Sequence, residues 1–186
     1  MSREYSLLAL ALSFPGEALT AGCRSGSLAA AFGPIAGLHD PSAASAAFGE
    51  EYIRLFELPT GGPTCPLYTG VYSHSRREAM EELLRFYRHA GLGLSEADRD
   101  LPDSVPTVLE FLGFLSWREV ASPGTAEASR RTAGDVLSRH LLPWLEETGS
   151  RLPKRTPGPF YAAVFDALGG FASAELERTA GELAVR

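Results

Sequence analysis

The stretch SRREAMEELLRFYRHAG, residues 75–91, contains both end signals and the apolar face of a helix. Ser75 with Glu78 three residues later is the capping-box pattern that begins a helix, and Gly91 is a residue that commonly ends one. Between them, apolar residues recur at the spacing of one helical face: Met80, Leu83, Leu84 and Tyr87. The stretch therefore predicts an amphipathic helix.

The same spacing recurs through the rest of the 186-residue chain. Tyr5, Leu8 and Leu12 share one face of a first helix that ends at Pro15, and Pro15 suits the first turn of a short second helix towards Cys23. Further helices are predicted over 40–57, over 125–147 with a bend near Pro143, over 157–171 and over 173–185. Another helix is predicted to begin at Asp103, which would cap it. No alternating, strand-like run occurs. The sequence predicts an all-α fold, a single-domain helical bundle over residues 1–186.

Composition excludes several classes of protein. The formal net charge of −6 leaves no surplus of basic residues to neutralise phosphates, so nucleic-acid binding is not expected. Two cysteines cannot form a disulfide framework, and no run of residues approaches the ~20 apolar residues that span a bilayer. A reducing cytoplasm is the simplest location.

The N-terminus allows one alternative. An apolar run over 7–14 followed by Ala21-Gly22-Cys23 has some features of a lipoprotein signal that is cleaved before the cysteine. Glu4, Glu17 and Thr20 are atypical of such a signal. An amphipathic first helix is the favoured interpretation.

A long segment at about 58–74 is rich in proline and glycine and is predicted to be an irregular loop. Loops of this length are usually functional. This loop carries Leu67, Tyr68 and Tyr72, which can either pack on the helices as a lid or bind a partner.

Residues with catalytic or metal-binding chemistry are sparse. Cys65 and His74 are too isolated for a metal site, and no nucleophile motif or phosphate-binding loop is present. His39, His89 and His140 are expected at the surface or at helix ends. Four carboxylates between Asp98 and Glu110, with Asp100 and Asp103 among them, leave open a small α-helical enzyme.

Three blocks carry a family resemblance. They are Glu51-Tyr52-x-Arg54-Leu55-Phe56, then Pro66-Leu67-Tyr68 with Tyr72, then Leu101-Pro102-Asp103 with Glu110-Phe111. In this order and spacing the chain resembles the TorD/DmsD/NarJ family of cytoplasmic chaperones for molybdenum enzymes. The subgroup most similar to it serves type II enzymes of the DMSO reductase family. Ser104 departs from the His or aromatic residue that many members carry after the aspartate.

The resemblance implies an all-α chaperone without catalytic residues, metal or cofactor of its own. Such a chaperone binds the catalytic subunit of a molybdopterin enzyme, often through its twin-arginine leader, assists insertion of the molybdenum cofactor and delays export. The residues carried over for binding the client or its leader are Leu67, Tyr68, Tyr72, Asp103, Glu110 and Phe111. The two acidic residues are expected to meet the arginine pair, and the others its apolar part.

Two points stay open at this stage. The client could instead be a nitrate-reductase-type subunit that is not exported, as for NarJ. The chaperone could be a monomer or a domain-swapped dimer, since helices joined by long loops can exchange between copies. No stable insertion into a membrane is expected.

Overall fold

The computed structural model describes residues 2–32, 49–57, 65–93, 100–152 and 159–184. These residues are helical apart from their connections, and the β pairing among them is the isolated bridge between Tyr68 and Ser104. The helices are α1 (Ser2–Leu12), α2 (Glu17–Arg24), α3 (Ser27–Phe32), α4 (residues 49–57), α5 (Arg76–His89), α6 (Val105–Ala121), α7 (Ala126–Val136), α8 (Leu142–Arg151) and α9 (Pro159–Ala184). The predicted all-α class is confirmed. In this part of the chain, no helix has the length and hydrophobicity needed to cross a bilayer.

α1 packs chiefly against α6. Tyr5, Leu8 and Leu12 are buried on its inner face, as their spacing predicts. Burying a side chain of this size stabilises the fold by about 2 kcal/mol. Pro15 lies outside both α1 and α2, because the N-cap of α2 is Gly16. Cys23 is a buried residue of α2, so its thiol belongs to the core.

α5 begins and ends at the predicted residues. The Ser75 hydroxyl accepts a hydrogen bond from the Glu78 amide, which satisfies one of the free amides of the first turn. Gly91 has φ of +81°, a conformation that favours glycine and ends the helix. Local signals therefore fix both ends of this element.

α7 and α8 occupy the stretch predicted as one bent helix. A π turn, Leu137–Leu141, joins them immediately before Pro143. Because proline has no amide proton, regular helical hydrogen bonding cannot continue through this point. Trp144 follows, fully buried and stacked on Phe165 with ring centroids 5.7 Å apart.

α9 differs from the prediction. Separate helices over 157–171 and 173–185 were expected, yet α9 runs without a break from Pro159 to Ala184. Gly169 and Gly170 do not end it, because neither takes a positive φ. Packing of Val164, Phe165 and Leu168 into the core compensates for the poor helix propensity of glycine, about 1 kcal/mol per residue.

His140 was expected at the surface or at a helix end, and this prediction is wrong. Its side chain is buried in the π turn, where Nε2 lies 3.3 Å from Glu82 Oε2. Arg139 also contacts the Glu82 carboxylate. Burial lowers the pKa of His140 below its usual value, because desolvation outweighs the attraction of a carboxylate that Arg139 already shares.

A pH dependence of stability follows from His140. The imidazole of the unfolded chain takes up a proton near pH 6.5, whereas the buried imidazole resists protonation. The free energy of unfolding is therefore expected to fall as the pH drops through about 6.5. Urea denaturation at pH 5.5 to 8 measures this. His140→Gln should flatten the slope, while His89→Gln at the exposed end of α5 should not. An unchanged slope in His140→Gln would contradict the assignment.

Candidate functional site

The described half of the long loop, residues 65–74, lies on the helices. The Thr69 amide donates to the Asp103 carbonyl at 2.8 Å, and the Val105 amide donates to the Leu67 carbonyl at 2.9 Å. The Trp144 indole donates to the Pro66 carbonyl at 2.9 Å. Leu67 is buried, and burial raises the pKa of the Cys65 thiol to about 11. The loop therefore packs as a lid, with residues 58–64 outside the described part.

Asp103 does not cap α6, which corrects the prediction. The N-cap is Ser104, and Asp103 is completely buried beside Arg76. Arg76 Nε donates to one carboxylate oxygen at 2.8 Å and Nη2 to the other at 3.2 Å. Both oxygens of Asp103 thus bind a guanidinium of its own chain, and this bond raises the pKa of Arg76.

Arg76 also positions Tyr68 and the loop. Its guanidinium carbon lies 4.7 Å from the centroid of the Tyr68 ring, in a cation–π contact. Gly70 passes so close to the pair that an added Cβ would lie 2.9 Å from Asp103 Oδ2. A glycine is required there because a side chain would displace the carboxylate. The ion pair consequently holds the loop against α5 and the start of α6.

A cleft borders Tyr68 and is formed by two adjoining cavities of about 450 and 290 Å³. The cavities share Ser13, Asp100 and Pro106. Leu67 and Tyr68 line the smaller one with Phe14, Tyr52, Phe56 and Glu57. Glu110 and Phe111 line the larger one with Tyr87, Leu92 and Phe114. We call this region the acidic cleft.

Three exposed carboxylates, Glu57, Asp100 and Glu110, give the acidic cleft its charge. Asp100 is held in place because it accepts hydrogen bonds from the Leu101 amide at 3.0 Å and the Ser104 hydroxyl at 2.6 Å. Ser104, the family departure, therefore orients an acidic side chain of the cleft. Burial, and then the negative charge of Asp100, raises the pKa of Tyr68.

The apolar part of the cleft is aromatic. Phe14 is 57% exposed and makes an edge contact with Tyr52, with ring centroids 5.4 Å apart. Burial, followed by the charges of Glu57 and Asp100, raises the pKa of Tyr52 well above its usual range. An exposed aromatic ring, Phe14, and the half-buried ring of Tyr68 beside carboxylates suit a ligand that carries both cationic and apolar groups.

The cleft contains four of the six predicted binding residues: Leu67, Tyr68, Glu110 and Phe111. Tyr72 lies elsewhere, beside His140, with Arg151 stacked 4.6 Å from its ring centroid. Asp103 faces Arg76 and borders neither cavity. Phe14 and Tyr52 also line the cleft and were not among the predicted residues, although Tyr52 belongs to one of the three sequence blocks.

The carboxylates proposed for an enzyme are not gathered into one site by the described residues. Asp98 lies outside the described part of the chain, Asp103 is paired with Arg76, and Asp100 and Glu110 border the cleft. Within the described ranges, no group of three or more His, Cys, Asp or Glu side chains could hold a metal ion.

Comparison with known proteins identifies the family. The family model described as the nitrate reductase delta subunit matches residues 17–148. This chain belongs to that family. The resemblance drawn from the three sequence blocks is thereby confirmed at the level of the family.

Several curated relatives are assembly chaperones. The chain is 39% identical to the selenate reductase assembly chaperone protein of Thauera selenatis, over 76% of this chain and 75% of the relative. It is 37% identical to the chlorate reductase assembly chaperone protein of Ideonella dechloratans, over 62% and 63%. It is 28% identical to the perchlorate reductase assembly chaperone protein of Dechloromonas aromatica (strain RCB), over 98% and 91%. The family and these relatives favour a chaperone over an enzyme.

A solved structure shares the fold. It is a crystal structure from Archaeoglobus fulgidus described as that of a redox enzyme maturation protein, with a TM-score of 0.59 and 19% identity. The similarity covers 95% of this chain and 92% of that one. The shared all-helical fold agrees with the family assignment.

Proposed function

We propose that this protein is the dedicated cytoplasmic assembly chaperone of a molybdenum-containing reductase of the DMSO reductase family. It binds the catalytic subunit and its twin-arginine leader, assists insertion of the molybdenum cofactor and delays export until assembly is complete. The observation that carries the proposal is a cleft with three exposed carboxylates and an aromatic lining in a relative of reductase assembly chaperones.

The cleft matches the chemistry of a basic leader. Guanidinium groups make short, charge-assisted hydrogen bonds to carboxylates, and Glu57, Asp100 and Glu110 supply these acceptors. Guanidinium planes also stack on aromatic faces such as Tyr68, which already accepts Arg76 on one side. The net charge of −6 favours the approach of a cationic segment over that of an anionic one.

Direct contact between Asp103 and a leader arginine stays a prediction, and it requires that Arg76 first move away from Asp103. Both oxygens of Asp103 bind Arg76, so an incoming guanidinium must first displace that side chain. We therefore assign the first contact with the arginines to Asp100 and Glu110. Tyr72 is assigned to a separate surface of the client, because it lies outside the cleft.

Capture of the client tests the function. The tagged full-length chain is purified from its native host, grown anaerobically, and its bound proteins are identified by mass spectrometry. The expected dominant partner is a molybdopterin-enzyme catalytic subunit that retains its leader. If that subunit is expressed in the cells and does not co-purify, the proposed function is wrong.

Charge reversal tests the cleft. Glu110→Arg is expected to weaken binding of the captured subunit's leader, synthesised as a peptide, by about tenfold, because repulsion replaces attraction at the cleft. Isothermal titration measures the affinity. Glu177→Arg makes the same charge change at an exposed position of α9 and should bind like the wild type. Equal affinities of the two variants would exclude the cleft as the leader site.

A further inference from the structure

A groove with a volume of about 700 Å³ lies between α8 and α9. Each helix lines it with residues that recur every three or four positions, so each presents one face to the groove. The lining of α9 extends from Ala162 to Ser173, which is about 16 Å at 1.5 Å per residue. A helix of about three turns has this length. We call this region the α8–α9 groove.

Two glycines widen the α8–α9 groove. Gly149 of α8 and Gly169 of α9 both line it, and a Cβ added at either position would have no neighbour within 4 Å. Neither glycine has a positive φ, so neither is required by its backbone conformation. Glycine is nevertheless a poor helix former. The two glycines therefore leave space in which another backbone can approach both helices closely.

The groove is apolar, with one carboxylate on each of its two helices. Leu142 and Leu145 of α8 are half-buried and pack against the core, and Phe165 of α9 faces them from the core side. The charged residues of the lining are Glu146 of α8 and Asp166 of α9, and both are exposed. Among the residues that the structure describes, neither carboxylate forms an ion pair.

The arrangement of these carboxylates selects the occupant. One stands on each helix beside the apolar lining, so together they can bind cations on both edges of an apolar helical face. An export leader has a different order, because its cationic region precedes its apolar run along the chain. The arginines of the π turn and of α8 do not neutralise the groove, since Arg139 contacts Glu82 and Arg151 contacts Glu147.

We propose that the α8–α9 groove binds an amphipathic helix in the body of the client's catalytic subunit, outside its leader, with Lys or Arg on both sides of its apolar face. This inference rests on the proposed function and adds a second contact with the same client. The groove shares no lining residue with the acidic cleft, so both can be occupied at once. A second copy of the chain is a poorer fit, because its net charge of −6 opposes binding to an acidic groove.

Two probes separate the groove from the acidic cleft. The first is the captured catalytic subunit produced without its leader, and the second is the leader alone as a synthetic peptide. Gly149→Leu fills the groove, and Asp166→Arg reverses one of its charges. Each variant is expected to bind the leaderless subunit at least tenfold more weakly than the wild type, and to bind the leader peptide with unchanged affinity. Isothermal titration measures both affinities.

Matched controls lie on α9 outside the groove. Gly170→Leu and Glu177→Arg make the same two changes at exposed positions and should bind both probes like the wild type. Gly149→Leu is expected to be at least as stable as the wild type in urea denaturation, because leucine is a better helix former than glycine. A loss of binding by this variant is then not a loss of folding.

Other outcomes overturn the inference in distinguishable ways. If the leaderless subunit does not bind, or binds both groove variants like the wild type, the groove is not a client site and the proposed function stands. If Gly149→Leu weakens binding of the leader peptide, the groove belongs to the leader site. If sedimentation shows a wild-type dimer that Gly149→Leu dissociates, the groove binds a second copy. If no catalytic subunit is captured, the proposed function fails and the inference fails with it.

Discussion

Arg76→Met is expected to lower the free energy of unfolding by about 3 kcal/mol, although Arg76 is 38% exposed. The loss of stability arises at its partner, Asp103. Asp103 is completely buried, and without Arg76 its carboxylate loses the guanidinium that binds both oxygens. Removing one member of a buried pair leaves an uncompensated charge, which costs more than the pair contributes.

Urea denaturation measures the effect, and the neighbouring residue supplies the control. Arg77 is 82% exposed and lies 3.7 Å from Glu81 in a surface pair, so Arg77→Met should cost less than about 0.5 kcal/mol. Adding Asp103→Asn to Arg76→Met should restore part of the stability, because the buried charge is then absent. Equal stabilities of Arg76→Met and Arg77→Met would show that the buried pair contributes nothing.

The same ion pair connects stability with the proposed site. Arg76 stacks on Tyr68, and the Asp103 backbone accepts from Thr69, so loss of Arg76 also releases the wall of the cleft. Weaker leader binding by Arg76→Met would therefore accompany its lower stability. Glu110→Arg, in contrast, should change binding more than stability, because Glu110 is exposed.

The sequence was informative where the determinants of structure are local. α5 follows from Ser75, Glu78 and Gly91, which act within one helix. The inner face of α1 follows from the spacing of Tyr5, Leu8 and Leu12. Helix class, apolar faces and the irregularity before Pro143 could all be predicted from such short patterns.

The predictions from the sequence were wrong where a residue far away in the sequence determines the local structure. Asp103 has the sequence of a helix cap, but its partner Arg76 lies 27 residues away. His140 is buried because α5 packs over the π turn, which no pattern around His140 indicates. Gly169 and Gly170 are typical helix breakers, and only the core packing of α9 keeps them helical.

Only part of the cleft could be predicted, because the residues that line it are also far apart in the sequence. Leu67, Tyr68, Glu110 and Phe111 line the cleft and were expected as binding residues from the family resemblance, which groups residues that lie far apart in the sequence. Their role in binding stays a prediction. Phe14, which lies just after α1, and Glu57 of α4 complete the cleft. No local pattern places either residue at a cleft, because both reach it only when the helices pack together.

Glu119→Ala is expected to lower the free energy of unfolding by about 4 kcal/mol, which is more than the loss expected for Arg76→Met. Glu119 of α6 accepts from Arg130 of α7 at 3.0 and 2.9 Å and from Arg178 of α9 at 3.0 and 3.3 Å. Arg178 also donates to Glu175, which accepts from the Tyr5 hydroxyl of α1 at 3.3 Å. One carboxylate thus joins a cluster contributed by four helices.

The charge balance of this cluster determines how strongly each substitution lowers the free energy of unfolding. Two carboxylates face two guanidiniums, and all four side chains are at most 20% exposed. Glu119→Ala leaves two cations with one anion, whereas Glu119→Gln retains an acceptor oxygen and should cost about half as much. Glu127→Ala removes an exposed pair with Arg131 and should cost less than about 0.5 kcal/mol. Urea denaturation of the three variants measures this order. A Glu119→Gln protein as stable as the wild type would show that hydrogen bonding, and not charge, holds α6 to α7 and α9.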